Sequence, residues 1–183
     1  LPEASFTLQK PNLYTIRGKG VPSVFKLYGE MKDGFEPTSD RQYLNSEIGD
    51  FLSLKHDARL TEFSIDVHRS DFYMAVLRVV VYQTDKEHKV FTPLLKEPIY
   101  IEVFPSGEPQ TFSRKVSVFV PKGEAWVGIQ FVEMRGKDYD RFFFPSTINN
   151  CYIRFPDGKI RPLNKRLGIP FSVKGYDYIV VNE

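Results

Sequence analysis

The amino-acid sequence predicts an all-β protein, an antiparallel β-sandwich with at most one short helix. Alanine, the strongest helix former, occurs only 4 times in 183 residues, whereas valine occurs 17 times and isoleucine 11 times. Short apolar runs that end at proline or glycine recur along the chain, and no helical pattern of three turns separates them. Many strands joined by turns, without alternating helices, are typical of a sandwich.

The N-terminal part of the chain shows the weakest strand pattern. Residues 1–34 carry glycine and proline turn signals between two apolar runs. We predict that this segment is a hairpin or an edge-strand extension of a single domain covering residues 1–183, because no linker separates it from the rest. Residues 39–51 leave room for the one short helix, with Ser39 or Asp40 as its N-cap.

Three runs in the middle of the chain have the composition of strands. In residues 63–68 apolar and polar residues alternate strictly, which predicts one buried and one solvated face. Residues 77–82 form a β-branched run that suits a central strand. Residues 99–104 follow with a proline on either side, as is common at strand ends.

The second half of the chain continues the pattern. Valines alternate over residues 116–120, and in residues 125–131 the odd-numbered positions form an apolar face. Residues 152–155 end at a Pro-Asp-Gly turn, and residues 171–173 and 178–181 supply the last predicted strands. The alternation predicts these core residues: Phe63, Ile65, Val67, Val79, Val81, Ile101, Val118, Val127, Ile129 and Phe131.

Composition argues against several classes of partner. The formal net charge is only +2, from 25 basic and 23 acidic residues, so nothing predicts binding to nucleic acid or to an anionic membrane. The longest apolar stretch, residues 74–82, is interrupted by Arg78. A membrane-spanning helix needs roughly 20 apolar residues. We therefore expect neither a nucleic-acid-binding protein nor an integral membrane protein.

The familiar catalytic and phosphate-binding motifs do not occur, so we predict no catalytic residue, no cofactor and no enzyme activity. The three histidines are scattered, and the acidic residues near Asp140 match no calcium-loop spacing, so no metal site is predicted. The single cysteine, Cys151, excludes an internal disulfide, and we expect a buried, unreactive thiol.

The segment most suggestive of binding is residues 134–145, which mixes charged and aromatic side chains after a well-formed strand. We predict that any ligand site uses the loop from Arg135 to Phe144, with Tyr139 as the stacking residue and Arg135 or Arg141 as the polar clamp. The alternative is that Phe142 and Phe144 cap the end of the sandwich.

Trp126 is a further candidate for ligand binding. It lies on the strand of residues 125–131, on the face opposite Val127 and Ile129. It is either an exposed stacking platform or a residue that packs on the second face of its sheet.

Five segments together resemble a known family: EIG at 47–49, LTEFSI at 60–65, LRVVVY at 77–82, LLKEPIYI at 94–101 and WVGIQFVE at 126–133. In these the chain resembles uncharacterised bacterial cell-envelope proteins with a jelly-roll or galactose-binding-like β-sandwich, often associated with carboxypeptidase-regulatory-like domains. The resemblance spans residues 47–181. It implies a secreted, periplasmic or cell-surface location and a non-catalytic module, and it carries over no catalytic residues.

Two functions follow as hypotheses. The first is a module that binds a glycan or a surface protein. The second is a structural or assembly domain with no small-molecule ligand. Exposed aromatic side chains in a concave patch favour the first, whereas a flat polar surface with an unpaired edge strand favours the second.

Overall fold

The computed structural model describes residues 13–23, 43–137, 140–163 and 167–178, and these form sixteen β-strands whose pairings are all antiparallel. The first eight are β1 (Tyr14–Arg17), β2 (Val21–Pro22), β3 (Glu47–Leu54), β4 (Ala58–Val67), β5 (Arg69–Ser70), β6 (Met74–Thr84), β7 (Phe91–Pro93) and β8 (Ile99–Val103). The others are β9 (Gln110–Val120), β10 (Gly123–Arg135), β11 (Phe142–Phe143), β12 (Thr147–Ile148), β13 (Tyr152–Arg154), β14 (Ile160–Pro162), β15 (Leu167–Gly168) and β16 (Phe171–Asp177).

Two large sheets pack together and confirm the predicted all-β sandwich. The first has four strands in the order β1-β16-β4-β9. The second has seven, in the order β14-β13-β3-β10-β6, with β7 and β8 both pairing with β6. Two small sheets, β11-β5 and β15-β12-β2, complete the described strands. No helix able to span a membrane occurs among the described residues.

The core between the two large sheets is built from the alternating positions that the sequence indicates. On β10, Val127 and Ile129 are fully buried, while their neighbours along the strand point to the other face. On the facing sheet, the rings of Phe63 and Phe171 stack 5.6 Å apart between centroids. All ten predicted core residues are buried, which confirms the assignment of faces.

In the described residues, the helix expected within residues 39–51 is limited to a 3₁₀ conformation at Tyr43 and does not extend beyond it. Tyr43 and Asn45 belong to a tight turn, closed by a hydrogen bond from Ser46 N to Tyr43 O of 2.8 Å, and β3 begins at Glu47. Because β3 lies between β10 and β13 and buries Ile48 completely, pairing on both edges overrides the weak local helix signal. Residues 39–42 lie outside the described part of the chain.

The N-terminal segment contributes two strands in its described part, residues 13–23. β1 is an edge strand of the four-stranded sheet and pairs with β16, while β2 pairs with β12. Residues 1–12 and 24–34 lie outside the described residues, as do residues 179–181 of the last predicted strand. β16 extends to Asp177, four residues beyond the predicted end at Val173.

A buried ion pair ties β1 to the seven-stranded sheet. Arg17 Nε lies 3.0 Å from Asp50 Oδ2, and its other nitrogens donate to the carbonyl oxygens of Phe171 and Asn150. The guanidinium carbon also lies 3.5 Å from the centre of the Phe171 ring. Burial raises the pKa of Asp50, and Arg17 only partly opposes this effect. The guanidinium of Arg17 therefore joins the four-stranded sheet to the seven-stranded sheet.

Candidate functional site

The structure describes residues 135–137 and 140–144 of the loop that is predicted to bind. The side chain of Arg135 is 60% exposed and pairs with Glu133. Arg141 is partly buried just before β11, and its carbonyl accepts a hydrogen bond from Asp71 N of 2.9 Å. Tyr139 lies outside the described residues, so its role as the stacking residue stays a prediction.

The aromatic residues at the C-terminal end of this loop pack against the core. Phe142 and Phe144 are buried, and their ring centroids lie 5.8 and 6.3 Å from that of Phe131. Phe131 is itself a core residue at the end of β10. The two rings therefore pack against the core, and binding by the rest of the loop stays a prediction.

Trp126 is fully buried, so the exposed-platform interpretation is wrong and the packing interpretation is right. Its ring contacts those of Phe51 and Phe91 edge-on, at 4.9 and 6.1 Å between centroids. Gly49 makes room for it, because a Cβ there would lie 2.8 Å from Trp126 Cε2. At roughly 3.3 Å per strand residue, Trp126 also lies about 30 Å from Arg135 along β10, so the structure separates these two candidates.

The outer face of the seven-stranded sheet, which points away from the main core, carries a row of polar side chains. Arg78, Gln130, Glu47 and Arg154 follow one another across β6, β10, β3 and β13, because each is the direct cross-strand partner of the next. Direct partners in antiparallel strands share a face and approach closely. The row therefore places one arginine on each side of Glu47.

Glu47 is the centre of a buried polar network. It is only 3% exposed, and its Oε1 accepts a hydrogen bond from Tyr82 Oη at 2.9 Å and lies 3.1 Å from Arg154 Nη1. Burial, together with the charge of Glu47, raises the pKa of Tyr82 to about 12. The Arg154 guanidinium carbon lies 4.2 Å from the centre of the Phe91 ring, and so closes the network on one side.

A cleft of about 270 Å³ opens beside this network, near the lower end of the ~300–1,000 Å³ typical of small-molecule pockets. β7 pairs with residues 82–84 of β6, and β8 pairs with residues 75–79 of the same strand. The cleft lies between these two paired segments. The connection between β7 and β8 begins with a hydrogen bond from Leu94 N to Val81 O of 3.0 Å, and its residues 95–98 line the cleft. The lining residues are Arg78, Val79, Val80, Val81, Tyr82, Pro93, Leu95, Lys96, Glu97, Pro98 and Tyr100.

The cleft brings a cation and an exposed ring together. Arg78 and Tyr100 are direct cross-strand partners, and the Tyr100 side chain is 45% exposed at the rim. The Nε atom of Arg78 is buried and has no hydrogen-bond partner among the described residues.

The sequence contains one signal for this cleft. Arg78 is the charge that interrupts the apolar run of residues 74–82, and a charged residue in a central strand needs either solvent or a partner. The pairing of β6 with β8, which sets Tyr100 beside Arg78, is not visible in the sequence because it depends on register between strands twenty residues apart.

Among the described residues, no three His, Cys, Asp or Glu side chains are grouped as a metal site would require. Comparison of the chain with protein-family models and with curated proteins finds no match.

Proposed function

We propose that the protein is a non-catalytic binding module that holds a glycan in the cleft between β7 and β8. The observation that carries this proposal is that Arg78, which forms no ion pair with a described residue, and the exposed ring of Tyr100 lie side by side on one concave surface. Aromatic rings stack on the apolar faces of sugars, while charged side chains bind their hydroxyl groups. Lys96 and Glu97 offer further polar groups at the rim.

We place this module in the bacterial envelope, either secreted, periplasmic or at the cell surface. This location rests on the resemblance to cell-envelope sandwich proteins, and glycans are plentiful there. A surface protein that displays such a glycan is the corresponding macromolecular partner.

The test is a glycan-array screen of the wild type, followed by titration of the hits with Tyr100→Ala. A stacked ring contributes about 1 kcal/mol, so we expect Tyr100→Ala to weaken binding roughly fivefold. The matched control is Tyr73→Ala, which removes an even more exposed tyrosine at the start of β6, away from the cleft. Equal affinity in wild type and Tyr100→Ala contradicts the proposal.

Tyr139→Ala belongs in the same titration, because the loop from Arg135 to Phe144 remains the other proposed ligand site. Loss of binding in Tyr139→Ala with full binding in Tyr100→Ala assigns the ligand to the loop. The reverse result assigns it to the cleft.

A second candidate function, assembly without a small-molecule ligand, is favoured by β9. Among the described strands this eleven-residue strand pairs only with β4 and is the edge strand of its sheet, the position at which sheets pair with another chain. Phe119 on β9 is half exposed, and its ring centroid lies 5.9 Å from that of Tyr178. Sedimentation of the wild type and of Phe119→Asp tests this function, which predicts self-association that the substitution weakens.

A further inference from the structure

We infer that the ligand of the cleft is an acidic sugar, a hexuronic acid whose carboxylate binds Arg78 while its ring stacks on Tyr100. This inference rests on the proposed glycan-binding function and specifies its chemical class. It is drawn from the charges, the partners and the spacing of the residues around the cleft.

Arg78 differs from Arg154 in that it has no ion-pair partner among the described residues. Arg154 and Glu47 pair with each other, and Tyr82 donates to the same carboxylate, but Arg78 forms no ion pair with a described residue. An arginine presents its nitrogens as a planar fork that matches a carboxylate with two parallel hydrogen bonds. The Nε of Arg78 is buried, so the two Nη atoms, which donate to no described residue, are the half of the guanidinium that a carboxylate in the cleft reaches.

The side chains around the cleft carry an excess of positive charge. The cleft and the adjoining network hold three cationic side chains, Arg78, Lys96 and Arg154, against the two carboxylates Glu47 and Glu97. The charge of Glu47 raises the pKa of the Tyr82 hydroxyl, and the charges of Arg78 and Arg154 lower it. One positive charge is left over, and one carboxylate on the ligand compensates it.

The distance between Arg78 and Tyr100 matches the distance between the carboxylate and the ring of a sugar acid. Arg78 and Tyr100 are direct cross-strand partners, so their Cβ atoms lie about 5 Å apart on one face. In a hexuronic acid the carboxylate is bonded directly to the sugar ring. The distance between the charge and the ring of the ligand is therefore as short as that between Arg78 and Tyr100. The backbone of Tyr100 is also held in place, because Arg114 Nε donates to its carbonyl at 3.0 Å.

The experiment is titration of the wild type with three methyl hexuronides (gluco, galacto and manno), their neutral methyl hexosides and the corresponding uronamides. The uronamide keeps the shape of the acid and removes its charge. We expect at least one uronide to bind tenfold or more tightly than both neutral counterparts, and its affinity to fall as salt is added. This comparison needs no substitution in the protein.

Variants then locate the charge. Arg78→Gln should abolish the preference for the acid, and Arg78→Lys should retain part of it, since lysine keeps the charge but loses the fork. Arg59→Gln is the control, because it removes an arginine that lies on the four-stranded sheet and donates to Ser117. Thermal melts confirm that each variant is folded.

The outcomes separate the two proposals. Equal binding of acid and amide, lost in Tyr100→Ala, overturns the acidic ligand and leaves glycan binding standing. Tighter binding of a sugar phosphate than of any uronide also overturns the carboxylate. Binding of no uronide, no hexoside and no glycan on the array overturns both the acidic ligand and the glycan-binding function.

Discussion

Cys151 shows how burial at a single residue controls reactivity. It is 1% exposed, and burial raises the pKa of its thiol from 9.0 to about 11, although the nearby Arg17 opposes the shift. The buried thiol expected from the sequence is therefore confirmed. Because thiolate is the reactive form, we expect no labelling by a disulfide reagent at pH 8 in the folded protein and complete labelling after denaturation.

The same shift gives a pH dependence with a defined sign. Between pH 9 and 11 the unfolded thiol ionises while the folded one stays protonated, so Cys151 favours folding below pH 9 and loses this contribution as the pH rises. Urea unfolding at pH 8 and pH 10.5 measures it, with Cys151→Ala as the control. Rapid labelling of the native protein contradicts the assignment.

At the scale of the elements, the contact between β3 and β10 depends on a glycine. A side chain on Gly49 would meet the carbonyl of Val127 at 2.6 Å and the ring of Trp126 at 2.8 Å, neither of which yields easily in a central strand. We expect Gly49→Ala to destabilise the fold by about 1–3 kcal/mol through overpacking.

Gly107→Ala is the matched control for this substitution. A Cβ at Gly107 meets no atom within 4 Å, so the melting temperature should stay near that of the wild type. Thermal and urea unfolding of both variants provide the comparison. Similar losses at the two positions would contradict the packing described between Gly49 and Trp126.

At the scale of the whole molecule, the two sheets are joined by apolar packing and by the Arg17–Asp50 pair. Removing Arg17 leaves the Asp50 carboxylate buried without its cation, whereas Asp50→Asn leaves Arg17 its bonds to the carbonyls of Phe171 and Asn150. Breaking a buried pair typically costs ~3–5 kcal/mol. We expect Arg17→Met to be clearly more destabilising than Asp50→Asn in urea unfolding, and the reverse order would contradict this account.

Local pattern alone determined the class of fold and the faces of its main strands. Period-two alternation around Phe63, Val118 and Val127 identifies buried positions, because a strand in a sandwich places successive side chains on opposite faces and only one of these faces the core. The same local logic predicted a buried Cys151. It failed at Glu47–Leu54, where a short mixed segment becomes a strand only because neighbours pair with both its edges.

Only the tertiary structure decided what the second face of the large sheet contains. The sequence shows Trp126 opposite the core and Arg78 within an apolar run, but not that one lies under Phe51 and the other beside Tyr100. Those neighbours come from strands distant in sequence, and a change of one residue in register would turn every side chain to the other face. Faces follow from local alternation, whereas the cleft follows from pairing, which no local pattern specifies.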